Sequence, residues 1–196
     1  MRLGVLGGTF DPPHLGHLLT SVDALERLAL DRVAVVPAGQ QPLKAGRQTA
    51  SPSDRLAMAR LTFGDDARFW VDPIEIDREG LSYTVDTLAA LAERHPGSEL
   101  FFITGADVIR TFGQWREPDR VARLAQLVVL ERESGEAGED AAGRQALEAR
   151  GARFLASRRV DVSSTEVRER VRAGKSIRGF VPDAVAAYIA RAGLYR

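Results

Sequence analysis

Near the start of the sequence, Gly7-Gly8-Thr9-Phe10-Asp11-Pro12-Pro13-His14-Leu15-Gly16-His17 brings three glycines and two histidines together. The run follows a short apolar stretch, Leu3-Gly4-Val5-Leu6, that reads as a buried strand. It precedes Leu18, Leu19, Val22, Leu25 and Leu28, which recur at helical spacing. The run is therefore a strand-to-helix turn. Gly7 and Gly8 let backbone N–H groups approach a ligand closely. The helix that follows aims the positive end of its dipole at the same place, and two imidazoles three residues apart sit over it. Donors converging in this way suit a polyphosphate.

Other readings of the run are weaker. A glycine pair after a strand is common in α/β proteins and says little alone. His14 and His17 share a helical face and could ligate a metal. The chain has no cysteine, however, and His95 is its only other histidine, so a zinc site would need carboxylates to complete it. No Gly-Lys-Ser/Thr follows, as a P-loop requires. Histidines also stand where a dinucleotide fingerprint wants a small residue for helix packing.

Four further clusters carry polar groups suited to anions or sugars. Pro37-Ala38-Gly39-Gln40-Gln41-Pro42-Leu43-Lys44 is a loop after the second strand. Lys44 is the only lysine before position 175 and could equally be a solvated surface residue. Ser82-Tyr83-Thr84-Val85-Asp86-Thr87-Leu88 starts a helix whose free N–H groups favour a carboxylate; plain capping would also explain it. Thr104-Gly105-Ala106-Asp107 ends the fourth strand, where an Asp beside a glycine commonly caps the next helix. Val162-Ser163-Ser164-Thr165-Glu166-Val167-Arg168 offers hydroxyls, N–H groups and an arginine at one helix start, a second anion site. Its bland alternative is a capped basic helix, since Arg170, Arg172 and Lys175 follow.

Together these motifs resemble the bacterial nicotinate-nucleotide adenylyltransferases over nearly the whole chain. The first run is similar to the H-x-G-H motif of the wider nucleotidyltransferase superfamily. Ser82–Thr87 is similar to a Ser/Thr-Tyr-Thr-x-Asp-Thr run, and Val162–Arg168 to Ile-Ser-Ser-Thr-x-Ile-Arg with valines for both isoleucines. The resemblance implies adenylyl transfer from ATP to nicotinate mononucleotide, giving deamido-NAD and pyrophosphate. It implies catalytic roles for His14, His17, Lys44 and Arg168. It places ATP on Gly7, Gly8, Gly16, Gly105, Asp107, Ser163, Ser164 and Thr165. It places the mononucleotide on Thr9, Phe10 and Thr84, with Trp115 stacked on the pyridine ring. Mg2+ is expected on the ATP phosphates, and the sequence shows no dedicated carboxylate cage for it. The family's Pro-Pro-His-Lys element is altered here, with Leu43 in the histidine position. Rival readings are a pantetheine-phosphate or nicotinamide-mononucleotide adenylyltransferase, or a non-catalytic nucleotide-binding module.

The elements that must position these residues can be read from periodicity. Strands are expected at 2–6, 32–36, 69–74, 100–104, 126–130 and 153–156. Helices are expected at 16–29, 52–62, 84–94, 118–124, 164–173 and 182–192. Ser51 and Ser163 read as helix caps, Pro182 as the opening of the last helix and Gly193 as its close. Residues 131–140 read as an exposed acidic loop and 141–150 as a short surface helix. Such alternation implies a single domain over residues 1–196. Its core would be one doubly wound, mainly parallel α/β sheet of the Rossmann-like nucleotidyltransferase type. Ligands in such folds gather beyond the carboxyl ends of the strands.

Composition narrows the function. With 196 residues the chain can bury a sizeable core. Its 27 basic and 27 acidic side chains balance, which argues against a general nucleic-acid binder. No apolar run approaches membrane-spanning length. Met1-Arg2 leads directly into the first strand, so no signal peptide is expected and a cytoplasmic location is. Self-association into a homo-oligomer is left open.

Overall fold

The computed structural model describes residues 1–40, 50–132 and 140–196, with the backbone alone at Arg132. Six strands form one sheet: β1 (Arg2–Gly8), β2 (Arg32–Pro37), β3 (Phe69–Val71), β4 (Glu99–Gly105), β5 (Gln126–Arg132) and β6 (Arg153–Ser157). Their order is β3-β2-β1-β4-β5-β6, and each neighbouring pair is parallel. The order reverses between β1 and β4. This is the switch point at which a doubly wound sheet opens a crevice. Leu6 pairs with Ile103, so Gly7-Gly8 and Thr104-Gly105 emerge side by side at that crevice.

Helices cover both faces. They are α1 (Leu15–Arg27), α2 (Pro52–Phe63), α3 (Thr84–Arg94), α4 (Val108–Thr111), α5 (Pro118–Leu124), α6 (Ala141–Glu148), α7 (Ser164–Arg172) and α8 (Asp183–Ala192). The central strands are apolar at successive positions because a parallel sheet is buried on both sides. Leu3 and Val5 face one layer, with Val85, Leu88 and Leu91 of α3 and Val121 of α5. Leu6, Val33, Val35 and Ile103 face the other, with Ala24 and Leu25 of α1 and Phe63 of α2. A third cluster joins Met58 of α2 to Val167 of α7, Val185 and Ile189 of α8, and Tyr195.

Where the structure departs from the sequence expectation, local chemistry explains it. β3 stops at Val71 because Pro73 has no N–H for a ladder and Asp72 Oδ1 turns back to accept from Ile74 N–H at 3.0 Å. α4, and a 3₁₀ turn at Phe112–Gln114, are too short to show any apolar period. α1 ends two residues early, and Ala29 leaves at a φ of 47°. Pro182 stands just before α8 as its cap residue, and Gly193 closes that helix at a φ of 64°. Glu131 and Arg132 continue β5 rather than open a loop, residues 133–139 lie outside the described residues, and α6 follows with Leu147 buried.

Leu88 has no solvent exposure and lies on the inner face of α3, whose first turn belongs to the site below. Leu88→Ala should lower stability by about 2–5 kcal/mol. The urea midpoint should drop accordingly, and an unchanged midpoint would refute this account of the α3 face.

Candidate active site

The two histidines cap their own helix. His14 is the N-cap residue of α1, and its Nδ1 accepts from His17 N–H at 3.3 Å. His17 Nδ1 in turn accepts from His14 N–H at 3.2 Å. This is a capping box in which imidazoles do what Ser/Thr and Glu usually do. The rings stack with centroids 3.7 Å apart. Gly16 makes room, since a Cβ there would lie 2.9 Å from the His14 ring. An Nδ1 that accepts from N–H carries no proton, so in the neutral ring the proton sits on Nε2. Burial lowers the His14 pKa from 6.5 to about 4. Burial, and then the neighbouring His14, push His17 well below its usual value. Near neutral pH the turn thus carries two uncharged Nε2–H donors over a helix start.

The loop between β1 and α1 is held from several directions. The Arg55 side chain of α2 is 1% exposed. It donates to Thr9 O at 2.9 Å, Ala38 O at 2.6 Å and Gly39 O at 3.2 Å, bracing the loops after β1 and β2 against each other. Asp11 is buried, and its Oδ1 accepts from Ala50 N–H at 3.1 Å and from the Tyr195 hydroxyl at 2.8 Å. Arg168 donates to Asp11 O at 2.7 Å and to Thr165 Oγ1 at 3.1 Å. Ser164 Oγ donates to Pro12 O at 2.8 Å. These bonds bring Arg168, Ser164 and Thr165 to the histidine turn. Ser163 Oγ accepts from Glu166 N–H at 3.1 Å and caps α7. The Ser164 hydroxyl thus serves the fold, while the Ser163 O–H and the N–H groups of the α7 start remain as donors. The Phe10 ring is 1% exposed, edge-on to His17 and packed on Phe63, so only the Phe10 backbone is left to meet a mononucleotide.

A second group forms across the crevice. α3 begins at Thr84 with no side-chain cap from Tyr83. Trp115 is half-buried against Phe102 of β4 and Phe112. Arg116 ties the two places together: its guanidinium lies 3.6 Å from Asp86 and 4.8 Å from the centre of the Tyr83 ring. Buried Glu75 holds the first turn of α3 by accepting from Thr87 Oγ1 at 2.8 Å, and burial raises the pKa of its carboxyl. At the end of β4, Asp107 is exposed and makes no side-chain cap to α4. A Cβ on Gly105 would lie 3.2 Å from Asp107 Oδ1. Lys44 lies outside the described residues.

Arg55, Asp11, Glu75 and Tyr195 are absent from the sequence reading of the site. Arg55 sits in a well-capped helix and, as an arginine, looks like a surface residue. Only Asp11 carried a hint, since it stands inside the glycine-histidine run.

The family model described as "Cytidylyltransferase-like" matches residues 5–170. A protein of Gemmatimonas aurantiaca named "Probable nicotinate-nucleotide adenylyltransferase" is 50% identical, over 100% of this chain and 93% of its own length. One of the same name from Thermus thermophilus is 43% identical, over 100% of both chains. Among solved structures, the Plasmodium falciparum nicotinic acid mononucleotide adenylyltransferase complexed with APC superposes with a TM-score of 0.77 at 18% identity, over 99% of this chain and 96% of that one. The chain therefore belongs to the cytidylyltransferase-like family and, within it, to the nicotinate-nucleotide adenylyltransferases. Among the described residues, no helix is long and apolar enough to cross a membrane.

A His14 pKa held low in the folded state ties stability to pH. Between 6.5 and about 4 the unfolded chain binds the proton that the folded one excludes. Stability is thus full above pH 6.5 and is lost as pH falls toward about 4. His14→Asn keeps a short polar cap but no titrating ring. Urea midpoints between pH 7 and 4 should fall less steeply in that variant than in the parent. Parallel slopes would remove His14 from the linkage.

Proposed function

We propose that this chain transfers the adenylyl group of ATP to nicotinate mononucleotide, giving deamido-NAD and pyrophosphate. The observation that carries the reading is the reciprocal imidazole cap at the β1–β4 switch point, two neutral donors braced by their own helix start. A phosphate oxygen of the mononucleotide attacks the α-phosphorus of ATP in line. The new P–O bond forms as the bond to the β-phosphate oxygen breaks, and pyrophosphate leaves with that electron pair. The nucleophile is already an anion, so no proton need be removed. Catalysis is then positioning plus charge stabilisation.

Within this reading His14 and His17 donate through Nε2 to α- and β-phosphate oxygens, while Lys44 and Arg168 meet the charge that develops on pyrophosphate. Gly7, Gly8 and Gly16 let the backbone and rings come close. Gly105 leaves space for the Asp107 carboxylate to accept from the ATP ribose. The N–H groups at Ser163, Ser164 and Thr165 face the same anion. Thr9 and the Phe10 backbone border the mononucleotide, Thr84 receives its carboxylate at the α3 start, and Trp115 stacks on the pyridine. Among the described residues no group of three or more His, Cys, Asp or Glu side chains is placed to hold a metal ion. Magnesium is expected on the ATP phosphates themselves, with water filling most of its shell. A single domain over residues 1–196 acting in the cytoplasm fits this reading.

The backbone of the α3 start presents N–H donors. It rewards two carboxylate oxygens and leaves an amide NH₂ facing donors, a mismatch that costs more than size selection does. Nicotinate mononucleotide should be preferred over nicotinamide mononucleotide by at least about a hundredfold in kcat/KM, or roughly 3 kcal/mol. Pyrophosphate release with each, measured side by side with ATP, tests this, and equal efficiencies would favour a dual or amide enzyme.

His17→Ala should lower kcat by roughly a hundred- to a thousandfold, as loss of one preorganised donor does. Near-normal turnover in the folded variant would sink the phosphate role. Arg168→Ala should impair use of ATP far more than use of the mononucleotide. An effect confined to the mononucleotide KM would exchange the two pockets.

A further inference from the structure

The loop that delivers the histidines holds a strained residue whose neighbour is clamped from three remote segments. Phe10 is not glycine, yet it sits at a φ of 51°. Backbone in that region persists only where its surroundings over-determine it. The next residue, Asp11, supplies those surroundings. Its carboxylate receives Ala50 N–H, before α2, and the Tyr195 hydroxyl, beyond α8, while its carbonyl receives Arg168 of α7.

Tyr195 is itself held in an unusual way. Gly193 ends α8 in the left-handed region, and Leu194 N–H returns to Ile189 O at 3.1 Å. Tyr195 follows at a φ of 64°, like Phe10 a non-glycine residue in the left-handed region. Its ring is 8% exposed and packs in the cluster that joins α2, α7 and α8. Ring packing alone would be served by phenylalanine. The hydroxyl is what reaches Asp11, 184 residues away in sequence. Burial, and then the Asp11 charge, raise the phenol pKa, so the group is a donor near neutral pH.

We infer that Tyr195 is a positioning residue for the adenylyl-transfer step: through its hydroxyl bond to Asp11 it fixes the Phe10–Asp11 turn and so the placement of the His14–His17 pair. This rests on the functional reading above. Tyr195 is buried and acts through Asp11, so its loss should act on transition-state alignment and leave substrate affinity nearly alone. A small misplacement of preorganised donors is enough to slow the chemistry.

Tyr195→Phe removes one oxygen and keeps the ring. The expected result is a kcat lowered about tenfold, with the KM for ATP and for nicotinate mononucleotide each within about twofold of the parent. Side-chain ¹⁵N resonances of His14 and His17, recorded without substrate, should move from the single Nε2–H tautomer toward a mixture. This arm needs no activity. If the parent releases no pyrophosphate from ATP and nicotinate mononucleotide, the functional reading fails, while the imidazole spectra still test the coupling. A folded Tyr195→Phe protein with parental kcat overturns the inference. So does a fall in kcat with unaltered imidazole resonances, and so does a change confined to KM.

Discussion

Everything at the crevice depends on one reciprocal interaction, the pair of bonds by which His14 and His17 cap each other's backbone N–H. A helix start leaves N–H groups without intrahelical partners. Most helices satisfy them with hydroxyls or carboxylates. Here two imidazoles use their Nδ1 atoms, and that choice decides the chemistry. Each ring is pinned in orientation, its proton is assigned to Nε2, and burial keeps both rings uncharged near neutral pH. A carboxylate cap would satisfy the helix equally well but would present an acceptor and a negative charge where these rings present N–H. The i, i+3 spacing of the two histidines and the absence of a Cβ at position 16 are consequences of this arrangement.

The sheet supplies the place and the buried polar network supplies the rigidity. Parallel strands in the order β3-β2-β1-β4-β5-β6 bring the glycine ends of β1 and β4 together. A loop leaving such a point could adopt many shapes. Arg55 removes that freedom on one side by binding carbonyls of two loops at once, and Asp11, Arg168 and Ser164 remove it on the other. Burying an arginine is expensive unless its donors are met. Arg55 meets three carbonyl oxygens through Nη1 and Nη2, while its Nε has no partner among the described residues; burial lowers its pKa, and the Asp11 charge nearby partly offsets that.

The far side of the crevice is built more openly. The start of α3 keeps no side-chain cap, and the elements around it are joined by Arg116 to Asp86 and by Glu75 to Thr87. Both contacts grip the first turn of the helix from its flanks.

The sequence by itself determined the element order, the parallel sheet and the position of the crevice. Apolar periodicity reports which face of each segment is buried, and glycine, proline and serine mark the ends. It placed β1, α1, α3 and α7 closely, and the motifs at their ends led to the family. It could not disclose β3's early stop, the four-residue α4, or the continuation of β5 into Glu131, because short or polar stretches carry no period. Tertiary structure alone decided how the polar residues are used. Asp11 meets Arg168 and Tyr195 across 157 and 184 residues of chain. The Phe10 ring turns into the core, the Ser163 oxygen caps α7, and the Ser164 hydroxyl donates to the loop before α1. The physical reason is that a buried polar group is stable only with a partner in place, and that partner is set by which segments the folded sheet brings together.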